Sequence, residues 1–589
     1  MAPKLRPTKR MLERRAKRAE RATLRHAHKF LIGRWDNLRE ARRDITSWLL
    51  LIAVLIAIGV VQMISYNNSY KIEAAASGGT YAEGIIGNIN NINPLYAETD
   101  NERAVSSLVF SGLFRYADGN NIQGELASRW SVSDDGKTYD ITLRDNVRFQ
   151  DGEPVTADDV IFTINIIKNP KVGSVLYNNW RTIEVSKLAP NRVRFELKSP
   201  YASFLHALTF GILPKHTLDQ VAPETLREFV ADNRVVGAGP YILRSIQAAA
   251  GNSRSVIYMT ANNHYFRREP RTNFVQIRVY SDSATLARGF GRSEVNAAAG
   301  LNANGAAVVA DDTAGTLVQA PLYDGVFALF NTTSPVMSDK SIRAALRLGT
   351  DIDSVRESVV SGGVRPPSPL NGPLVSGLFQ SVDELSQPTT DVKAATEKLS
   401  SMGYKLNADN KLQKDDQLLH ISMVTVKDTD YAPAAENLAQ QWQDLGVDVE
   451  LIMANPENAG QNYFIPRNYD VLVYQLHMGA DADVFAYWHS SEATARGLNF
   501  ANYSSLLADA SLVSGRARSS DQLREAKYKT FVETWLDDVP AIALYRPDYY
   551  YAHAPSVRSL SSRPLVSAAD RFSGVHTWTV KTDTFYATP

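Results

Sequence analysis

The longest apolar stretch of the chain runs from Ile45 to Tyr66 (ITSWLLLIAVLIAIGVVQMISY), 22 residues without a charge. As an α-helix it spans about 33 Å, the hydrocarbon thickness of a bilayer. Trp48 and Tyr66 stand near its ends, where interfacial aromatics belong. The pattern predicts one transmembrane helix over 45–66. A cleaved signal peptide is the rival reading, helped by Ala74-Ala75-Ala76 downstream. The long basic region ahead and the length of the apolar run favour a retained anchor. Residues 67–80 (NNSYKIEAAASGGT) are small and polar and read as a spacer.

Past the spacer the pattern becomes that of a folded body. Thr99 and Glu102 have capping-box spacing, and Val105, Leu108, Val109 and Leu113 follow at helical intervals. Tyr139, Ile141 and Leu143 alternate with Thr138, Asp140 and Thr142 after a turn at Asp134-Asp135-Gly136, which predicts a β-hairpin with the Trp130 segment. Thr156 and Asp159 then open an amphipathic helix carrying Val160, Ile161, Ile164 and Ile167, which stops at Asn169-Pro170. In the second half, a strand over 420–426, a helix with Leu438, Trp442 and Leu445 closed by Gly446, and a strand through Val447, Val449 and Leu451 make a βαβ unit. Another strand follows over 469–476. This order implies a partly parallel sheet covered by helices. Such sheets offer binding crevices at the carboxyl ends of their strands, where the loop from His477 to Asp483 lies.

Charge sets the orientation. Residues 1–43 hold 15 Lys/Arg against four acids, a net +11 balanced by −11 over the remainder. A basic tail alone fits anionic lipid or nucleic acid. The apolar run behind it decides for the membrane and against nucleic acid, with the tail cytoplasmic and the body outside. The absence of cysteine removes disulfides, thiolate metal sites and a lipid-modified cysteine anchor. No His-Glu-x-x-His and no Gly-x-Ser-x-Gly occur. Asp135-Gly136-Lys137-Thr138 lacks the first glycine of a phosphate loop, since Ser131 stands in its place. His477, Asp481 and Asp483 are too few ligands for a known Ca²⁺ loop. Neither a cofactor nor a metal is expected. An external hydrolase is the main rival class, because catalytic triads are set by geometry rather than by sequence position.

The stretch from Gly124 to Pro170 (GELASRWSVSDDGKTYDITLRDNVRFQDGEPVTADDVIFTINIIKNP) resembles, nearly end to end, the signature of the family 5 solute-binding proteins of ABC importers, whose members take peptides or nickel. Val236-Gly-Ala-Gly-Pro-Tyr241 is similar to that family's "GTGPY" turn with Ala238 in place of Thr, and residues 331–348 and 435–451 resemble two further family segments. The resemblance implies an α/β fold of two lobes, as in periplasmic binding proteins, with an extra subdomain in lobe one. The residue pattern gives a cytoplasmic tail over 1–44, the membrane helix 45–66 and the spacer 67–80; the resemblance, which covers about residues 80–560, implies lobe one over 81–325, lobe two over 326–540, and a return to lobe one over 541–589. The crossings are expected near Tyr323 to Asn331 and near Ala541 to Arg546. The implied function is capture of a peptide outside the cell for an ABC permease. A peptide-sensing receptor domain is a further alternative.

The resemblance also suggests site residues. In peptide-binding members an acid ahead of a D-P-x-x-F-like pattern receives the ligand ammonium, and the matching stretch here is His477-Met478-Gly479-Ala-Asp481-Ala-Asp483-Val-Phe485. An ungapped match places Met478 at the acid. Asp481 or Asp483 substitutes after a local shift, or no ammonium is fixed there. Where dipeptide binders carry an arginine, this chain offers Lys427, a point charge without bidentate geometry. Tyr474, Trp488 and Tyr323 are further candidates, as aromatics near the crevice with apolar faces and polar edges.

Overall fold

A computed structural model describes residues 9–27, 42–117, 119–228, 235–247, 255–311 and 315–586. The chain forms two compact units, residues 1–74 with 582–589 and residues 75–581. In the first, helix Lys9–Ala27 precedes helix Arg42–Tyr70. Its part Arg42–Ser65 is long and apolar enough to cross a membrane, and its apolar window is wholly exposed. The expected spacer differs from what is found. The helix continues to Tyr70, and Lys71–Ala76 forms a strand paired with Lys581–Tyr586. That partner lies some five hundred residues away, so local composition does not announce the strand.

The second unit holds two large sheets. A seven-stranded sheet orders Thr316–Pro321, Asp548–His553, Ala297–Leu301, Thr80–Ile86, Phe274–Tyr280, Val256–Ala261 and Tyr241–Gln247. Its central strand Thr80–Ile86 runs parallel to both neighbours and is buried on both faces. The helix Ser283–Gly291 packs so closely on it that a Cβ on Gly84 would lie 2.3 Å from Leu286 Cδ1. A five-stranded sheet orders Asp448–Ala454, His420–Val426, Val471–Leu476, Gly325–Phe330 and Ala541–Tyr545. Its first pair is the parallel βαβ unit, closed by helix Ala432–Asp444 and by Gly446 at φ +93°, a left-handed position that glycine takes without a Cβ penalty.

A separate four-stranded antiparallel sheet extends the hairpin Ala127–Val132/Thr138–Leu143 by Arg192–Glu196 and Glu184–Ala189. Both capping boxes form: Thr99 starts helix Asp100–Val109, and Thr156 starts Ala157–Ile167 with Asp159 Oδ2 accepting from Thr156 N at 2.8 Å.

The chain leaves lobe one after Pro321 and enters lobe two at Gly325; it leaves lobe two after Tyr545 and rejoins lobe one at Asp548. The two crossings are tied together. Arg546 Nε donates to Leu322 O, and its guanidinium sits 4.6 Å from the centre of the Tyr323 ring. The return segment is built into the core of lobe one, where Arg571 Nη2 lies 3.0 Å from Glu83 Oε1 with both side chains fully buried. Tyr81 Oη donates to the other Glu83 oxygen at 2.5 Å, so both oxygens of the buried carboxylate have partners.

Candidate ligand-binding cleft

Strand Val471–Leu476 ends in the loop His477–Asp483, which the crossing anchors. Gly479, at φ +75°, donates its N–H to Tyr323 O at 3.0 Å. The buried Asp324 accepts from Gln475 Nε2 at 2.8 Å and lies 3.0 Å from His477 Nδ1. That hydrogen bond raises the His477 pKa, while the rest of the ring faces solvent, with 73% of the side chain exposed.

Asp481 is one point where the lobes meet. Its Oδ1 accepts from Ser203 Oγ of lobe one at 2.6 Å and from Arg524 Nη2 of lobe two at 2.6 Å, and Asp483 N donates to the same oxygen at 3.0 Å. Burial raises the Asp481 pKa, but Arg524, Ser203 and the weaker influence of His206 outweigh it and hold the carboxyl below its ordinary value. Asp483 pairs with Arg516 at 3.0 Å, yet burial dominates and pushes its pKa up. The Arg516 guanidinium also stacks 4.5 Å from the Phe485 ring and 5.3 Å from the Tyr201 ring of lobe one. Each carboxylate of the loop therefore already has a guanidinium, and the loop offers a ligand ammonium no unpaired acid.

The other candidates fall in different surroundings. Met478 is buried in the core of lobe two beneath Gly325. Trp488 is fully buried between Phe327 and Trp535, its ring 5.7 and 5.4 Å from theirs. Tyr323 is buried at the first crossing. Tyr474 is half-buried in an aromatic group with Tyr431, Phe464 and Phe500. Lys427 is exposed just beyond strand His420–Val426, its N–H donating to Ala454 O at 2.9 Å. The structure thus brings His477, Gly479, Asp481 and Asp483 together at the lobe boundary, puts Met478 and Trp488 behind them as packing, keeps Tyr474 on the strand that feeds the loop, and leaves Lys427 just beyond strand His420–Val426.

Lobe one also holds a cavity of about 420 Å³ that no local sequence pattern marks. Aromatic walls at Phe110, Phe114, Trp180 and Phe210 meet a polar side carrying Arg115, Glu125, Tyr265, Arg267 and His576. Tyr116 and His206 line it as well and hydrogen-bond to each other at 3.0 Å. His206 is within electrostatic reach of Asp481, which counters in part the burial that lowers its pKa. The cavity thus borders the contact between lobes. Among the described residues, no group of three or more His, Asp or Glu side chains is placed to hold a metal.

Two α/β lobes joined by paired crossings, with a cavity beside the contact between them, are the architecture of a periplasmic-type binding protein. Residues 121–497 match bacterial extracellular solute-binding proteins, family 5 Middle, and the chain belongs to that family. The oligopeptide-binding protein AppA of Bacillus subtilis is 24% identical over 524 residues, covering 85% of this chain and 92% of that protein. NikZ from Campylobacter jejuni, solved in complex with Ni(L-His), shares 26% identity with a TM-score of 0.68, covering 85% of this chain and 99% of the other. AppA from Bacillus subtilis in complex with a nonapeptide gives a TM-score of 0.67 at 21% identity, covering 86% and 99%. The protein is a solute-binding component of the ABC-importer class, not an enzyme.

Proposed function

We propose that this protein captures peptides outside the cell and hands them to an ABC permease while tethered by its N-terminal helix. The observation that carries the reading is the contact of Asp481 with Ser203 beside the lobe-one cavity: two lobes closed on one another next to a space of ligand size. An extended peptide satisfies its backbone hydrogen bonds whatever its sequence, which suits roomy side-chain pockets and broad specificity. In this reading the loop His477–Asp483 is one wall of the cleft, its carboxylates holding Arg524 and Arg516 in position rather than meeting a ligand ammonium.

Full-length protein in detergent, mixed with a short-peptide library, should rise in melting temperature by mass action and leave every peptide mass unchanged. Catalytic turnover of the peptides would contradict the binding-only reading, and a library without any stabilising member would remove peptides as the ligand. We place helix Arg42–Ser65 across the membrane with the +11 segment inside, on the Lys/Arg bias. Protease added to intact cells should digest the body and spare the tail; the reverse pattern would overturn this topology.

A further inference from the structure

The cations of the first helix stand in phase. Along Lys9–Ala27, residues Arg10, Arg14, Lys17, Arg18, Arg21 and Arg25 recur at intervals of three and four, which places them on one face. That stripe runs about 22 Å at 1.5 Å per residue. Leu12, Ala16, Ala19 and Thr23 belong to the opposite side, and Glu13 and Glu20 fall outside the stripe. Arg14, Lys17, Arg18, Arg21 and Arg25 are exposed, and none of them is held by a hydrogen bond or ion pair among the described residues. Like charges three and four residues apart repel along a helix, so the stripe costs helix stability until an anionic surface neutralises it.

Orienting a membrane helix requires only an excess of Lys and Arg on one side of it, whatever face they occupy. Their alignment therefore points to a surface that the stripe meets as a unit. Residues 28–41 join it to helix Arg42–Tyr70 and reach at most about 50 Å fully extended. A membrane-spanning Arg42–Ser65 keeps the stripe within reach of the leaflet it leaves from, whereas a nucleic acid has to be recruited from solution. Anionic headgroups give that leaflet a negative surface potential, which draws juxtamembrane cations onto it. Apart from Leu12, the side chains opposite the stripe are small and offer little to insert among acyl chains, so charge rather than burial holds the helix down.

We propose that helix Lys9–Ala27 lies along the cytoplasmic leaflet with its arginine face on anionic lipid headgroups, a second attachment of the protein to its membrane. This rests on the reading that Arg42–Ser65 spans the bilayer with the tail inside, and it adds the lipid class and the helix face that meets it.

The chain has no cysteine, so Ala16→Cys, off the stripe, takes a single fluorescent label. Full-length protein is placed in nanodiscs of phosphatidylcholine alone or with about 30% phosphatidylglycerol, each carrying an acceptor dye on a zwitterionic headgroup. Energy transfer to the headgroups should rise at least about twofold in the anionic discs and fall back in about 1 M salt, where charges are screened beyond roughly 3 Å. Arg18→Ala with Ala19→Arg, Arg21→Ala with Ala22→Arg and Arg25→Ala with Ala27→Arg, made together, keep the composition but break the phase, and should remove most of that rise. Equal transfer in the two kinds of disc, an undiminished rise in the out-of-phase variant, or a label that responds to an RNA oligonucleotide and not to anionic discs would overturn the proposal, the last reassigning the stripe to nucleic acid. Protein that does not stay with the discs would refute the membrane-spanning reading and this proposal with it; protein retained in the discs with an indifferent label refutes this proposal alone.

Discussion

Replacing Ser203 with alanine isolates the contact between the lobes. Ser203 Oγ donates at 2.6 Å to Asp481 Oδ1, and the hydroxyl belongs to lobe one while the carboxylate belongs to lobe two. Ser203→Ala leaves the bond from Arg524 at 2.6 Å and that from Asp483 N at 3.0 Å in place, so no buried charge is stranded within lobe two. A hydrogen bond to a charged acceptor contributes about 1.5–3 kcal/mol, and an acceptor that keeps two donors puts the loss at the lower end. About 1.5 kcal/mol corresponds to roughly tenfold in the ratio of closed to open forms. Fluorescent labels on the two lobes of ligand-free protein should report that shift, and Ser203→Thr, which retains the hydroxyl, should move it far less. Where the closed form is the minor one, apparent ligand affinity falls by the same factor. An unchanged inter-lobe distance distribution in Ser203→Ala, with the protein folded, would refute the assignment of this bond to closure.

Further outcomes follow from the same geometry. Asp481→Asn removes the partner of an Arg524 side chain that is only 9% exposed, and should cost about 3–5 kcal/mol, read by denaturant unfolding. Glu83→Gln strands the fully buried Arg571 and should cost a similar 3–5 kcal/mol; a loss within 1 kcal/mol, read in the same way, would mean that water reaches the pair. Gly84→Ala drives a methyl to 2.3 Å from Leu286 Cδ1 and should cost about 1–3 kcal/mol, visible as a lower melting temperature. Burial pushes the Asp570 carboxyl up to about 6, against an unfolded value near 4, so the folded state binds more protons across that window and loses stability as pH rises through it. Asp570→Asn should therefore gain on the native protein between pH 4 and 7 in parallel melting curves, and a constant difference would contradict the shift.

Elements whose signals are local were legible in the chain. Thr99 with Glu102 and Thr156 with Asp159 each satisfy helix-end N–H groups within four residues, and the period-two pattern of Tyr139, Ile141 and Leu143 needs only its own strand to be read. Gly446 marks its turn by lacking a side chain. Of the candidate site, only the loop is legible in the local pattern. Asp481 stood out as an acid in 477–483, but its partners lie 278 residues before and 43 after it, and nothing in the local pattern shows that Arg524 neutralises it. The cavity is harder still. Arg115, Glu125, Tyr265, Arg267 and His576 meet across more than 450 positions, and an arginine in His264-Tyr265-Phe266-Arg267 reads as surface until the fold buries it. Met478 and Trp488 show the converse: large apolar side chains near a crevice pack inward where the sheet behind them has room.

The return of the chain into lobe one sets an order on assembly. All five strands of the second sheet lie between Gly325 and Tyr545, so lobe two has its full complement once that segment is available. The first sheet begins at Thr80 but lacks the strand Asp548–His553, and Glu83 waits for an arginine 488 positions later. A chain emerging N-terminus first would hold an unfinished lobe beside a finished one, with an acid buried or solvated according to whether the end has arrived. Closing a loop that long adds little entropic cost beyond that of a shorter one, but it delays the contact. The end of the chain is thus part of the first lobe's core: without Arg571 the fully buried Glu83 has no cationic partner.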